Sequence, residues 1–448
     1  MWWDGKIQRT FRCRLDQSPG SLGRLLTAIG DRGGLIGEIR TIHMGGSAVD
    51  RDITVYADDL RHLDALVKTV ETAEGAQLLE VRDEVLEMHQ GGKIAIRSRY
   101  DISSLSTLRR VYTPGVAEVS LKIKGDPSLA RRYTSIRHLV AIVTDGTAVL
   151  GLGDIGPKAA MPVMEGKASL LETLTGLSGM PILLDTKDPD EIVETVVHIA
   201  PTFAAIQLED ISAPRCFAIE ERIQARLDIP VMHDDQHGTA VVVTATLINA
   251  AKATGVDLGR SSIGVIGLGA AGLALARMLM FRFKNPVYGA DIAPGALDRL
   301  KSAGGIPSDL KAIMAGCDVV IATTGVPGLI KEAMVRKGQI VLALSNPNPE
   351  IEPERALAAG AAFAADGKSV NNVLGFPGIF RGAVDADVPR ITREMLIAAS
   401  ETIAAFAKPG EIVPDPLDKA LHKAVARAVA RVALAQRLNR DDLTGYFD

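Results

Sequence analysis

Ile263-Gly264-Val265-Ile266 is a short strand-forming run that ends in Gly267-Leu268-Gly269-Ala270-Ala271-Gly272 and passes directly into the apolar helical run Leu273 to Phe283. Strand, glycine turn and helix in that order demand a parallel sheet with the helix returning across it. Gly267 permits the tight turn, Gly269 lets backbone approach a pyrophosphate, and Gly272 allows the helix to pack closely. The helix amino terminus offers unpaired N–H groups to the anion, so Gly267, Gly269, Ala270, Ala271 and Gly272 are candidate cofactor contacts. A second strand, Val287 to Ala290, ends in Asp291, 24 residues beyond Gly267, where a carboxylate can accept hydrogen bonds from an adenosine ribose. That acid favours NAD. The following Ile292-Ala293-Pro294 supplies no arginine or lysine for a 2'-phosphate.

A chain of 448 residues is long enough for two or three domains. After Gln90-Gly91-Gly92 the pattern becomes apolar runs alternating with helices, the signature of a parallel sheet covered on both faces. Four runs end in acids: Leu139 to Val143 before Asp145, Ile182 to Leu184 before Asp185, Phe203 to Leu208 before Glu209-Asp210, and Val231 to His233 before Asp234-Asp235. Ligands of open parallel sheets sit beyond the carboxyl ends of the strands, so these acids are expected to converge on one edge. A second alternating segment begins near Ser262 and resembles a Rossmann NAD-binding domain. The expected division is an α+β unit over 1–90, an α/β substrate and metal domain over 91–250, and the Rossmann domain with carboxyl-terminal helices over 251–448.

Residues 7 to 88 read as strand, helix, two strands, helix, strand. Ile7 to Leu15 alternates, Leu22, Leu25, Leu26 and Ile29 repeat at helical spacing, and Ile36 to His43 and Asp50 to Tyr56 flank Gly45-Gly46. Leu60 to Thr72 is an amphipathic helix, and Ala76 to Val85 is expected to close the unit as a strand. This order resembles an ACT domain, a ferredoxin-like regulatory module. The resemblance implies an amino-acid or metabolite effector at the turn Asp16 to Gly23, with Asp16, Ser18, Gly20 and Leu22 as candidate contacts, and pairing between copies. A unit of this fold can equally serve dimerisation alone.

Glu209-Asp210 and Asp234-Asp235 place four carboxylates beyond two strands with no excess of neighbouring bases in sequence. Clustered acids repel unless a cation joins them, and oxygen ligands of this kind suit magnesium or manganese. Acids at such positions also cap helices, and Asp234-Asp235 precedes one.

Several further motifs occur in order. They are Tyr112-Thr113-Pro114-Gly115-Val116, the stretch from Val143-Thr144-Asp145-Gly146 to Gly156, Glu165-Gly166-Lys167, and Leu208-Glu209-Asp210. His233 to Ala240, Ser345-Asn346-Pro347, and Asn371-Asn372 ahead of Phe376-Pro377-Gly378 follow. Together, over roughly residues 91 to 440, they resemble the signature of malic enzymes. The resemblance implies oxidative decarboxylation of malate to pyruvate with NAD and a divalent metal. It implies Tyr112 as general acid, Lys167 as general base kept neutral by its surroundings, and Asp234 as its support. Glu209, Asp210 and Asp235 become metal ligands, Asn346 and Asn372 substrate contacts, and Thr323-Thr324-Gly325 the border of the nicotinamide. His233 and His237 are expected to have structural or hydrogen-bonding roles. Ala148 departs from the pattern of eukaryotic relatives, which carry an arginine there for a malate carboxylate. The asparagines or another base must then hold that group. Three other readings remain: a malolactic enzyme giving lactate, a catalytically silent effector-binding regulator on the same scaffold, and an amino-acid dehydrogenase, which would need no metal.

With a net charge of −4 and both signs interspersed, the chain lacks the basic stripe that nucleic acid requires. Cys13, Cys216 and Cys317 show no paired spacing, so reduced thiols and a cytoplasmic setting are expected. The opening Met1 to Lys6 lacks the apolar run of a signal peptide, and the stretch Ala240 to Ala251 is too short to span a bilayer. A homodimer or larger assembly is expected from both resemblances.

Overall fold

The computed structural model describes residues 6–149 and 151–447. Of the opening run Met1 to Lys6, only Lys6 falls within them. The chain divides into two compact units, Met1–Ala95 and Ile96–Asp448.

The first unit is built of β1 (Ile7–Asp16), α1 (Ser21–Asp31), β2 (Leu35–Met44), β3 (Ala48–Ala57), α2 (Leu60–Glu71), β4 (Ala76–Arg82) and α3 (Glu84–His89). Its strands lie in the order β2-β3-β1-β4, all neighbours antiparallel, which is the βαββαβ topology expected for a ferredoxin-like unit. Strand alternation sorts the faces. Phe11, Cys13 and Leu15 of β1 pack with Ile29 and Leu66 of the helices, whereas Arg12 and Arg14 point the other way and pair with Asp52 and Asp50 of β3, each at 2.7 Å. The last strand is shorter than expected. It stops at Arg82 because the Asp83 side chain accepts from Leu86 N and caps α3, so Val85 is helical.

The second unit opens with three short helices, α4 (Leu105–Val111), α5 (Gly115–Gly125) and α6 (Leu129–Tyr133). There follow β5 (Leu139–Thr144), α7 (Pro157–Thr175), β6 (Ser178–Leu183), α8 (Pro189–Ile199), β7 (Ala205–Leu208), α9 (Arg215–Arg226), β8 (Val231–His233) and α10 (Asp234–Thr254). The strands form a parallel sheet in the order β6-β5-β7-β8. A second parallel sheet follows, built of β9 (Ile263–Ile266), β10 (Val287–Ala290), β11 (Ile306–Pro307), β12 (Val319–Ala322), β13 (Ile340–Ala343) and β14 (Phe363–Asp366). Its order is β11-β10-β9-β12-β13-β14, so the chain reverses direction across the sheet between β9 and β12. Its helices are α11 (Ala270–Phe283), α12 (Pro294–Ser302), α13 (Leu310–Gly316) and α14 (Pro353–Ala358); α15 (Phe376–Asp385), α16 (Arg393–Phe406) and α17 (Lys419–Ala435) close the chain.

Both sheets are apolar on both faces, as the near-continuous hydrophobic runs require. Val140 and Ile142 of β5, Val265 of β9 and Val319 of β12 share one core with α10, α11 and α15 to α17. On the opposite faces, Ala141 and Val143 pack against α8 and α9, and Val320 and Ala322 join a separate cluster. No helix among the described residues is long and apolar enough to cross a membrane.

Candidate active site

Strands β5, β7 and β8 are adjacent and parallel, so the turns after them emerge side by side. They carry Asp145, Glu209-Asp210 and Asp234-Asp235. Asp185 does not join them. It follows the outer strand β6 and lines a separate shallow groove with Asp190, Glu191 and His198.

Glu209, Asp210 and Asp235 each offer one carboxylate oxygen, and the three oxygens lie within 4.8 Å of one another. The chain bends to achieve this. Asp210 sits at φ +55, the left-handed region that Asp tolerates better than most residues, and its backbone N–H donates to Asp235 Oδ2 at 2.8 Å. Asp210 Oδ2 is buried without a hydrogen-bond partner among the described residues. Burial first, and then Asp235, push the Asp210 carboxyl up to about 8. Burial also raises Glu209 well above the usual carboxylate range, against the opposing pull of Lys167. An oxygen-only donor set with an orphaned buried carboxylate oxygen fits a hard dication.

Lys167 projects from α7 onto this cluster. Its Nζ pairs with Glu209 Oε1 at 2.9 Å and with Asp234 Oδ2, and it lies 4.6 Å from the centre of the Phe376 ring. Asp234 is fully buried and does not cap α10; it is the first residue of that helix, and no side chain caps its start. Its carboxylate is turned instead toward Lys167 and toward Asn372 Nδ2 at 3.2 Å. Two opposing effects act on the charge of Lys167. Burial opposes its charge, but Asp234, Glu209 and Asp235 more than offset it and hold the ammonium pKa above the ordinary lysine value.

The nucleotide-type loop faces the same space. Gly267 has φ +89, and a Cβ on Gly272 would lie 1.8 Å from Gly267 O, so two of the three glycines are sterically required. Asp291 Oδ2 accepts from Leu268 N at 2.7 Å and Oδ1 from Ala293 N at 2.8 Å; the carboxylate therefore braces the glycine turn. Thr323 Oγ1 donates to Gly267 O at 3.0 Å, and Gly325 N donates to Ser345 Oγ at 2.7 Å.

One cleft of about 1100 Å³ connects these groups. Lys167, Glu209, Asp210 and Asp235 line one part of it, and Ala270, Ala271, Thr323, Thr324, Gly325, Asn346 and Asn372 line the rest. Ala148 lines it too, and Lys368 is the one further cation on its walls among the described residues. Gly267, Gly269, Gly272 and Asp291 are not among the residues that line it. Tyr112 does not reach it: the residue caps the end of α4 and is 66% exposed.

Several supporting residues were not anticipated. Glu350 is fully buried and accepts from Thr324 N at 2.7 Å, Thr324 Oγ1 at 2.8 Å and Ser345 N at 3.2 Å. Gln207 Nε2 donates to Glu209 Oε2 at 2.7 Å. Arg215 Nη2 donates to Asp145 Oδ2 at 2.7 Å, which takes Asp145 out of the acid cluster. Glu220 Oε2 meets His237 Nε2 at 3.0 Å, giving that histidine the expected hydrogen-bonding role. Only Glu350 carried a sequence signal, since it follows the Ser345-Asn346-Pro347 motif by three residues.

Within the first unit, Asp16 ends β1, Gly20 has φ +87, Ser18 Oγ lies 2.7 Å from Ser21 Oγ, and Leu22 packs on the core.

Residues 98–224 match the malic enzyme N-terminal domain, and residues 308–435 match the malic enzyme NAD binding domain. The chain is 56% identical over 428 residues to NAD-dependent malic enzyme 1 of Bacillus subtilis (strain 168), across 95% of this chain and 98% of that protein. The chain belongs to the malic enzyme family. A bifunctional malic/malolactic enzyme of the same organism is 42% identical, across 80% of this chain and 94% of that protein. The crystal structure of the malic enzyme from Pyrococcus horikoshii Ot3 superposes with a TM-score of 0.77 at 39% identity, covering 82% and 93% of the two chains. Tyr112, Lys167, Glu209 and Asp210 fall in the first malic enzyme segment and Asn346 and Asn372 in the second, while Asp234, Asp235 and the glycine turn lie between them.

Proposed function

We propose that this chain is an NAD-dependent malic enzyme that converts malate to pyruvate and carbon dioxide in the cleft between the two sheets. The reading rests on the placement of Lys167, an amine held by Asp234 against a three-carboxylate cluster, in the same cleft as Thr323-Thr324-Gly325. Magnesium or manganese on Glu209, Asp210 and Asp235 would polarise the C2 oxygen of malate, and NAD on the glycine turn would accept the C2 hydride.

Lys167 is placed to take the C2 hydroxyl proton, with Asp234 fixing its direction. Glu209 and Asp235 hold the ammonium most strongly while they lack another cation. Asn346 lines the cleft where it can donate to a substrate carboxylate, whereas Asn372, whose Nδ2 donates to Thr239 Oγ1 at 3.0 Å and to Asp234 Oδ2 at 3.2 Å, must give up one of these bonds to do so. With Ala148 unable to supply a cation, Lys368 is the group available for the distal one. The family resemblance assigns the return of a proton to C3 to Tyr112, which does not line the cleft of this chain. A malolactic outcome is the second reading, favoured by the similarity to the bifunctional relative.

For the amino-terminal unit we take the ACT reading, with an amino acid or related metabolite at the Asp16 to Gly23 turn. The βαββαβ topology supports it. The unit, the substrate and metal portion near 91–250 and the nucleotide portion near 251–448 would then form three functional domains of a homodimer. Three buried, unpaired cysteines are in keeping with a cytoplasmic protein.

The deciding assay supplies malate, manganese and either NAD or NADP, follows the reduced cofactor and identifies the product. Pyruvate with NAD is expected, and loss of turnover in Lys167→Ala. Lactate would favour the second reading, and full activity in Lys167→Ala would remove the proposed base.

A further inference from the structure

Glu350 is a buried acid for which the reaction steps above have no use. Its side chain is fully buried, and four donors converge on it. Oε1 accepts from Thr324 N at 2.7 Å, from Thr324 Oγ1 at 2.8 Å and from Ser345 Oγ, and Oε2 accepts from Ser345 N at 3.2 Å. The two hydroxyls are themselves engaged as acceptors. Thr324 Oγ1 accepts from Val326 N at 3.1 Å and Ser345 Oγ from Gly325 N at 2.7 Å, which leaves the hydrogen of each for Glu350. Such a ring of donors suits a carboxylate. No lysine, arginine or histidine pairs with it among the described residues. A buried charge without a counter-ion is costly, and hydrogen bonds offset only part of that cost.

The place of that charge in the fold is specific. Thr324 and Gly325 follow β12, and Ser345 and Asn346 follow β13. The chain reverses direction between β9 and β12, and a dinucleotide lies across the crevice at such a reversal. Asp291, after β10, is on one side of the glycine turn. The loops after β12 and β13 are on the other side, where they line the cleft together with Lys167 and the three clustered acids. The adenosine half therefore belongs with β10 and the nicotinamide half with the two loops. Glu350 does not line the cleft; it stands one hydrogen bond behind Thr324 and Ser345, which do. Oxidised nicotinamide is cationic, and accepting a hydride removes that charge.

We infer that Glu350 is a positioning residue that holds the two cleft loops together and whose buried carboxylate makes the cleft favour the oxidised, cationic nicotinamide over the reduced, neutral one. The inference rests on the NAD-dependent malic enzyme reading. A fixed unit charge within about 10 Å, at an effective dielectric of about 20, changes affinity for a cation roughly 10-fold. Glu209, Asp210 and Asp235 are matched in that reading by a dication and by Lys167, whereas Glu350 has no cation to match it. Its attraction for the ring lapses once the ring is neutral, which eases departure of the reduced cofactor.

Equilibrium titrations of the full chain, without malate and with manganese present throughout, separate charge from scaffolding. NADH is followed by its fluorescence and NAD by its displacement of NADH. Glu350→Gln removes the charge from a side chain of the same shape and is expected to raise the ratio of the NAD Kd to the NADH Kd about 10-fold. Glu350→Asp keeps the charge. Ser345→Ala keeps it as well and cuts the link to Gly325. In both, the two constants should move together and the ratio should stay within about 2-fold of the wild type. Equal weakening of both nucleotides in Glu350→Gln would overturn the inference, since hydrogen bonding alone would then account for the residue. Melting curves accompany each titration. Should Glu350→Gln not fold, the other two variants decide: a ratio held in both is the expected result, and a ratio shifted about 10-fold in either overturns the inference, because loop geometry and not charge would set it. A wild type that binds neither nucleotide would sink the NAD reading, and this inference with it; a wild type that binds both, with an unchanged ratio in Glu350→Gln, would overturn this inference alone.

Discussion

The carboxylate of Asp234 occupies the space that a side chain at Gly238 would need: a Cβ there would lie 1.9 Å from Asp234 Oδ1. The two residues are one helical turn apart on α10, so the missing side chain is what lets Asp234 turn toward Lys167. Gly238→Ala should raise helix propensity and still harm the enzyme. Turnover is expected to fall about 10-fold or more, with thermal stability changed by less than about 1 kcal/mol either way. Steady-state kinetics beside a melting curve would check it, and unchanged turnover would show that Asp234 needs no such space.

Metal dependence should appear in stability as well as in catalysis. Three clustered carboxylates repel when nothing joins them, so manganese at a hundred times its Kd is expected to stabilise the chain by about 2.7 kcal/mol. Asp210→Asn removes a carboxyl that is pushed up to about 8, and so a repelling charge above that pH, and keeps a residue that tolerates φ +55. Without metal it should melt higher than the wild type, and manganese should no longer raise its melting temperature. A wild type indifferent to manganese in both assays would argue against the site.

The glycine turn permits a narrower prediction. Because a Cβ on Gly272 would lie 1.8 Å from Gly267 O, Gly272→Ala must push α11 away from the turn. The KM for NAD should rise about 10-fold or more while the metal response persists. Manganese-induced stabilisation, measured on the same variant, separates a local change from general unfolding.

His422 should make stability depend on pH. It is fully buried on α17, its Nε2–H donates to Pro416 O at 2.8 Å, and Nδ1 has no partner among the described residues. Burial lowers its pKa below 6.5, against the smaller opposing effects of Pro416 O and Asp418. The unfolded chain then takes up a proton that the folded chain refuses. Stability from this residue is fully present above pH 6.5 and falls as the pH drops toward the folded pKa, by at most about 1.4 kcal/mol per pH unit. Melting temperatures between pH 7.5 and pH 5.5, about one unit either side of the ordinary histidine value, should show the slope, and His422→Gln should flatten it.

Local chemistry was readable wherever it depends on neighbours in the chain. The strand, glycine turn and helix at Ile263 to Phe283 appear as β9, turn and α11, because strand alternation and turn sterics act over a few residues. The βαββαβ order of the first unit was legible for the same reason, and its one error came from Asp83, whose capping bond ended the last strand early. The acids after β7 and β8 were legible as a group, since parallel neighbours put their carboxyl ends together. Asp185 was misjudged because strand order, which the sequence does not state, puts β6 beyond β5, on the side away from β7 and β8.

Residue types, their periodicity and the short motifs were enough to determine the parallel α/β class, the cofactor turn and the acids available for a cation. Tertiary structure alone decided which of those acids share space, that Arg215 withdraws Asp145, that Asp234 on α10 serves Lys167 on α7, and that Tyr112 is exposed and does not line the cleft. Turns and caps are governed by bonds between near neighbours. A buried charge takes its properties from whatever the fold brings within a few ångströms, however far apart the residues lie along the chain.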